Sequence, residues 1–187
     1  MRGRLIVVEG LDGTGKSTFS RELARRLGAE WGTTPGLELR KLRGAIEAQA
    51  RGCFPAMHTF FAASVLAEAA RVRPLLEAGR DVVLDRYWAT TVAYASLEPD
   101  HLDLASCERG LLTVDRTWYL TLAEPERRRR LQDRGTTPGD RNTMVDAHRR
   151  RLEAAYCAEL RRPLHGVVVS VDVSALAFGE LWPGWRG

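Results

Sequence analysis

The sequence predicts an α/β protein built on a parallel sheet covered by helices on both faces. Two patterns carry this expectation. Short apolar runs alternate with longer segments whose apolar residues recur at helical spacing. The first apolar run also feeds a glycine-rich loop that opens directly into a helix.

Leu5 to Val8 is the first strand and Gly10 to Gly15 the loop, and Phe19, Leu23 and Leu27 mark the first helix. Ala29 to Thr34 reads as a weaker second strand. After Pro35-Gly36, Leu37 to Ile46 reads as an arginine-bearing helix. Ala56 to Leu76 is a long alanine-rich helix, with Pro74 expected to bend or re-cap its last turn. Gly79 ends that helix, and Asp81 to Leu84 is a short β-branched run closing on Asp85. Trp88 to Leu97 reads as helix and Thr117 to Leu122 as a fourth strand, followed directly by a helix from Glu124 to Arg134. The polar stretch Gly135 to Thr143 is punctuated by glycine and proline and reads as a loop. Val145 to Leu160 returns to helix, and Gly166 to Val171 supplies a final strand. Trp182 to Gly187 has no periodicity and is expected to pack across the body or fray.

The 187 residues fit one domain, spanning 1–187, with no internal repeat. A composition of 44% hydrophobic and 28% charged residues excludes a disordered chain or a coiled-coil rod. No apolar run approaches the roughly 20 residues that span a bilayer, so no membrane partner is expected. The formal charge of +4 tolerates anionic substrates without demanding nucleic acid. A polymer binder would interleave aromatics with basic residues across a surface, whereas these arginines cluster in one segment. Cys53, Cys107 and Cys157 lie far apart, which suits a reducing compartment. The chain enters its first strand at once, so a cytoplasmic location is expected.

Gly10-Leu11-Asp12-Gly13-Thr14-Gly15-Lys16-Ser17 matches the full Walker A pattern in its strand-to-helix context. Glycines let successive N–H groups point into one concavity, a nest for phosphate oxygens. The helix that follows adds its unsatisfied N–H groups and positive end. Lys16 is expected to reach the β- and γ-phosphates, and the Ser17 hydroxyl to ligate Mg²⁺. Gly10, Asp12, Gly13, Thr14, Gly15, Lys16, Ser17 and Thr18 are the expected ATP contacts. No guanine-reading Asn/Thr-Lys-x-Asp segment is present, which argues against a GTPase.

Asp85 closes a strand at the place where open α/β sheets bind ligands, suited to hold Mg²⁺ through water. Arg86 beside it is placed to clamp a second phosphate group. Arg127, Arg130 and Arg134 are spaced to share one helical face, with Arg141 in the polar stretch beyond. Phosphoryl transfer needs donors around a γ-phosphoryl whose charge spreads over its oxygens, and arginine supplies them as a planar fork. Residues 135–143 with Arg130 and Arg134 are therefore expected to act as a lid that also keeps water out.

Together these pieces resemble the thymidylate kinase family of nucleoside monophosphate kinases. The likeness rests on Glu9-Gly-Leu-Asp-Gly-Thr-Gly-Lys-Ser-Thr18, Phe61-Ala-Ala63, Asp85-Arg-Tyr87 with Thr90, Thr91 and Tyr94, and Pro125-Glu126 leading to Arg130 and Arg134-Gly135. It implies a P-loop fold with a five-stranded parallel sheet in the order 2-3-1-4-5, a short lid, and ATP and Mg²⁺ as cofactors. It further implies Asp12 and Tyr94 at the acceptor sugar, Phe61 against its base, and Arg86 with Arg40 at its phosphate. Arg141 would join the acceptor contacts. Catalysis would rest on Lys16, Arg86, Arg130 and Arg134. Because Gly13 stands where some members place an arginine, a lid arginine would supply that charge.

Departures from the family pattern bear on the base. Thr33-Thr34-Pro35-Gly36 replaces the usual Arg-Glu-Pro-Gly, Phe61-Ala-Ala-Ser64-Val65 replaces Phe-Ala-Ala-Asp-Arg, and Tyr94-Ala95 replaces Tyr-Gln. The donors that read a thymine edge are thus missing. Asp85-Arg-Tyr-Trp88 and Arg130-Leu-Gln-x-Arg134-Gly135 resemble the mitochondrial UMP-CMP kinase branch more closely. The expected reaction is ATP-dependent phosphorylation of dTMP, dUMP, UMP or CMP. Two alternatives stay open: a deoxynucleoside or modified-nucleotide kinase, for which Glu9 could serve as base, and a regulatory nucleotide-binding module. Family members commonly dimerise, and the alanines from Ala62 to Ala70 could face a partner or their own core.

Overall fold

The computed structural model describes residues 1–98 and 103–174; the expectation for Trp182 to Gly187 falls outside them. Strands β1 (Leu5–Gly10), β2 (Glu30–Thr33), β3 (Val82–Asp85), β4 (Arg116–Thr121) and β5 (Val167–Asp172) form one parallel sheet. Their order is β2-β3-β1-β4-β5, as the family resemblance implied. The helices are α1 (Lys16–Leu27), α2 (Leu37–Ala50), α3 (Phe54–Glu77), α4 (Trp88–Ala95), α5 (Glu124–Asp133), α6 (Pro138–Met144) and α7 (Asp146–Glu159).

β1 lies at the centre of the sheet and is buried along its whole length, which accounts for the continuous apolar run from Leu5 to Val8. The two-residue period of the strand divides that run between two layers. Leu5 and Val7 pack with Ala62, Val65 and Ala69 of α3 and Trp88 of α4. Ile6 and Val8 pack with Phe19 and Leu23 of α1 and with Trp118 of β4. Truncating any of these four β1 side chains to alanine would cost about 2–5 kcal/mol. Ala62 and Ala69 thus face their own core, while Ala63, Ala67 and Ala70 remain exposed on the other side of α3.

One local expectation is corrected. The stretch from Gly135 to Thr143 is not all loop, because α6 begins at Pro138. Thr137 and Asp140 cap it reciprocally: Thr137 Oγ1 accepts the Asp140 N–H (3.2 Å), and Asp140 Oδ2 accepts the Thr137 N–H (2.9 Å). Threonine, then proline at the first helical position, then an acid three residues on is a helix start readable from sequence. Pro74 stands in the last turn of α3, as expected: the helix runs through it to Glu77, and the Pro74 carbonyl caps that turn by accepting the Ala78 N–H at 3.0 Å.

Parallel pairing gathers the carboxyl ends of the strands on one edge. The register sets Val8 of β1 beside Asp85 of β3, and Gly10 beside Leu120 of β4. The P-loop and the Asp85-Arg86 turn therefore lie side by side, the position where such sheets bind ligands.

Candidate active site

The P-loop curls through Gly13 and Gly15, both left-handed at φ 89° and 88°. Gly15 precedes α1, and its carbonyl accepts the N–H groups of Thr18 (3.1 Å) and Phe19 (3.0 Å). The Leu11 carbonyl gathers the donors of the loop: Thr14 Oγ1 at 2.8 Å and Lys16 Nζ at 2.6 Å. Lys16 thus curls back over the concavity, and a phosphate entering it would take over this ammonium. Burial is the main reason its pKa falls to about 8, reinforced by Arg86 and partly offset by Asp12, Asp85 and Glu9.

Gly13 is required for a reason beyond its dihedral angle. A Cβ there would stand 3.0 Å from Arg127 Cγ and 3.0 Å from the Leu131 side chain, both on α5. The volume that an arginine at this position would need is filled by α5. That helix is clamped to the P-loop by Arg127, which is 1% exposed. Arg127 Nη1 donates to the Asp12 carbonyl at 2.9 Å, Nη2 to the Thr143 carbonyl at 2.8 Å, and Nε to Glu124 at 2.7 Å. Arg127 is therefore a buried strut joining P-loop, α5 and α6, and not a lid arginine on the face shared by Arg130 and Arg134. Its helical spacing alone does not distinguish the two roles.

Arg130 and Arg134 do reach the site. One cavity of about 260 Å³ is lined by Asp12, Gly13, Gly15, Lys16, Ser17, Thr18, Arg86, Arg130 and Arg134. Arg130 is held by the partly exposed Glu126 at 2.9 Å and Arg134 by the buried Asp140 at 2.6 Å, and each arginine is itself partly exposed, with donors left for a ligand. Gly10 and Thr14 support the loop from outside this lining.

Arg86 follows β3 in a left-handed conformation, φ 72°, uncommon for a residue with a Cβ. Its guanidinium is ion-paired with Asp12, whose other oxygen accepts the Tyr94 hydroxyl at 2.7 Å. Burial pushes the Asp12 carboxyl up, but Arg86, Lys16 and the Tyr94 bond outweigh it and hold the group well below the usual carboxylate range. Asp12 is thus an ionised, fully engaged partner rather than a proton acceptor.

Ser17 Oγ donates to Asp85 Oδ2 at 2.5 Å, and Asp85 Oδ1 is buried without a partner. An orphaned carboxylate oxygen beside a hydroxyl at the phosphate nest fits a hard cation completed by water and phosphate oxygens. Among the described residues, no group of three or more His, Cys, Asp or Glu gathers as a closed metal site. The Ser17–Asp85 pair is the arrangement suited to Mg²⁺ carried in with a nucleotide.

The remaining expected residues lie further out. Arg40 donates to Thr33 Oγ1 at 2.6 Å, at the carboxyl end of β2. Phe61 is half-buried on α3, with the Arg43 guanidinium 5.4 Å above its ring. Val65 is buried in the core beside β1. Arg141 is exposed on α6 and outside the cavity lining. Glu9 has 0% exposure and lies outside that lining, its Oε1 accepting the Tyr87 N–H at 2.9 Å. This removes it as a base for a hydroxyl acceptor.

The chain is similar to known proteins in sequence and in fold. A family model described as Thymidylate kinase matches residues 8–172. A thymidylate kinase of Bdellovibrio bacteriovorus is 34% identical over 166 residues, covering 77% of this chain and 74% of its own. The structure of a Candida albicans thymidylate kinase superposes with a TM-score of 0.70 at 22% identity, covering 95% and 87% of the two chains. A deoxyadenosine kinase from M. mycoides shares the fold at a TM-score of 0.66 and 16% identity, covering 94% and 93%. Fold likeness alone therefore does not choose the acceptor. The family match, spanning nearly the whole sheet and every strand end that forms the cavity, shows that the chain belongs to the thymidylate kinase family of P-loop nucleoside monophosphate kinases.

Proposed function

We propose that this chain transfers the γ-phosphoryl group of ATP to the phosphate of a pyrimidine nucleoside monophosphate, dTMP, dUMP, UMP or CMP, giving ADP and the diphosphate. The observation that carries the reading is the convergence of Lys16, Arg86, Arg130 and Arg134 on one cavity whose lining acid, Asp12, is already engaged by Arg86 and Tyr94. A phosphate acceptor is already anionic and needs no general base, so positioning and charge neutralisation suffice. Lys16 and the P-loop hold the donor phosphates. Arg86, oriented by Asp12, holds the acceptor phosphate, with Arg40 and Arg141 as further contacts. Arg130 and Arg134 meet the charge of the migrating group, and residues 135–143 with them form the lid that excludes water. Ser17 directly and Asp85 through water would hold Mg²⁺, which supplies charge neutralisation across the β- and γ-phosphates.

Phe61 stacks on the acceptor base and Tyr94 lines the sugar. Val65 offers no donor to a base edge, which supports an acceptor range like that of the mitochondrial UMP-CMP kinase branch over strict thymine selection. The exposed Ala63, Ala67 and Ala70 face of α3 is available for a homodimer, which light scattering would detect. Three free cysteines support a cytoplasmic setting. No helix among the described residues is long and apolar enough to cross a membrane.

Coupled ADP release with ATP and Mg²⁺ against dTMP, dUMP, UMP, CMP and dCMP, with the parent nucleosides alongside and products identified, tests the assignment. Turnover of at least one monophosphate is expected. Turnover of nucleosides only would move the chain to the hydroxyl-acceptor class, and silence across both sets would overturn the pyrimidine reading.

A further inference from the structure

We propose that Asp140 is a positioning residue for the reaction: from α6 it holds the Arg134 guanidinium over the phosphate nest, fixing one edge of the fork and leaving the other for the migrating phosphoryl group. This rests on Arg134 being a donor to that group. Among the described residues the Arg134 side chain makes one hydrogen bond, from Nη2 to Asp140 Oδ1 at 2.6 Å. The two partners differ in solvent. Asp140 is 1% exposed, whereas the arginine side chain is half exposed and lines the cavity with Lys16 and Ser17. Its charge is felt there, since Arg134 is one of the cations that hold the Asp12 carboxyl down.

Asp140 can hold an arginine in place because its own place is fixed through its side chain, its N–H and its carbonyl. Oδ2 accepts the N–H (2.9 Å) and the hydroxyl (2.7 Å) of Thr137, and the Asp140 N–H donates back to Thr137 Oγ1 at 3.2 Å. The Asp140 carbonyl accepts the Thr143 hydroxyl at 2.8 Å. Thr143 Oγ1 then accepts Arg127 Nη1 at 3.2 Å, and the same nitrogen donates to the Asp12 carbonyl at 2.9 Å. A continuous run of hydrogen bonds, from P-loop to Arg127 to Thr143 to Asp140, sets where the carboxylate stands relative to the nest. The bond to Arg134 carries that frame to the guanidinium. Arg130 has no such anchor: its partner, Glu126, is partly exposed and lies one turn back on the same helix, a pair worth little.

The two oxygens of Asp140 have separate tasks, Oδ2 capping α6 and Oδ1 taking the arginine. Asparagine separates them. With its oxygen toward Thr137 it keeps both bonds of the cap and turns an amide donor toward Arg134. The reverse orientation keeps one neutral bond to Arg134 and sets a donor against the Thr137 N–H. The first orientation satisfies more groups and is the one expected.

The test compares wild type, Asp140→Asn, Arg134→Ala and the double variant, using whichever monophosphate wild type turns over best. Asp140→Asn should lower kcat about tenfold, the loss of one hydrogen bond to a charged group, with both KM values unchanged. The double variant should be no slower than Arg134→Ala, because Asp140 acts through that arginine. Three results would overturn the proposal: a kcat at or above wild type in Asp140→Asn, which would mean that the acid withholds the arginine; a loss carried by KM alone; or a further fall in the double variant. Should Asp140→Asn not fold, Arg134→Lys reads the contact from the other partner with Asp140 and its cap in place. An ammonium is a point charge without the planar fork, so kcat should fall about tenfold, and a rate within about twofold of wild type would overturn the positioning role. Crystal structures of wild type and Asp140→Asn read the claim without activity. Arg134 Nη2 should meet Asp140 in the first, and in the second the guanidinium should leave the cavity lining while the Thr137 cap persists. If wild type phosphorylates no monophosphate, the functional reading fails on its own, and an Arg134 that keeps its place in Asp140→Asn still overturns the positioning role.

Discussion

The Ser17 hydroxyl donates to Asp85 at 2.5 Å across 68 residues of sequence, joining the start of α1 to the end of β3. One oxygen of that carboxylate is satisfied and the other is buried with no partner. Asp85→Asn and Ser17→Ala should each lower the apparent Mg²⁺ affinity roughly 10–100-fold, so that more Mg²⁺ is needed for half-maximal rate. Titrating Mg²⁺ at fixed ATP reads this directly.

Lys16 gives a pH dependence with a definite sign. Its pKa is pushed down to about 8, first by burial and then by Arg86. As pH rises through that value the ammonium is lost and ATP affinity should fall, which calorimetry against pH will show. Stability moves the other way. Between the folded value of about 8 and the ordinary 10.5 the unfolded chain binds more protons, so the fold is stabilised as pH rises through this window.

Gly13→Ala should destabilise the protein by about 1–3 kcal/mol, since the new Cβ meets α5 and the backbone is left-handed. Denaturant unfolding measures it. At Gly15 only Arg130 comes near an added Cβ, at 3.7 Å, so Gly15→Ala should cost less stability.

The arginines of α5 should separate by assay. Arg127→Gln breaks a buried pair and should cost about 3–5 kcal/mol. Arg130→Ala removes a partly exposed pair worth about 0–1 kcal/mol, and Arg134→Ala, which leaves an oxygen of the buried Asp140 without its arginine, should cost about 1–3 kcal/mol; each should lower kcat roughly 10²–10³-fold as a donor to the migrating charge. Melting curves beside steady-state kinetics distinguish the two behaviours.

Phe61→Ala should raise the acceptor KM roughly 10–100-fold, the value of one aromatic–base stack, with the KM for ATP unchanged. Equal loss on both substrates would show that Phe61 serves packing instead.

The P-loop was legible because its parts are contiguous: eight neighbouring residues, a strand before them and a helix after them suffice. β1 could be read from its apolar run alone. The 2-3-1-4-5 order came from the family likeness, since single-strand patterns carry no pairing information. Helix α6 is hidden from a periodicity reading because Gly135, Pro138 and Gly139 are loop punctuation, although Thr137, Pro138 and Asp140 together spell a helix start.

The sequence by itself determined the chemistry available to this protein: a phosphate nest, a lysine and a hydroxyl behind it, an acid at a strand end, and a surplus of arginines. Tertiary structure decided which of those groups act together. Arg127 and Arg130 share a helix and a spacing, yet one is buried as a strut and the other lines the cavity, because α5 lies with one edge on Gly13. Glu9 and Asp12 are acids three residues apart, yet one is sealed beneath Thr90 and the other faces Arg86. Local patterns fix which groups a segment carries. Only packing fixes their distances, their solvent and their charge partners, and those quantities decide whether an ionisable side chain binds, braces or reacts.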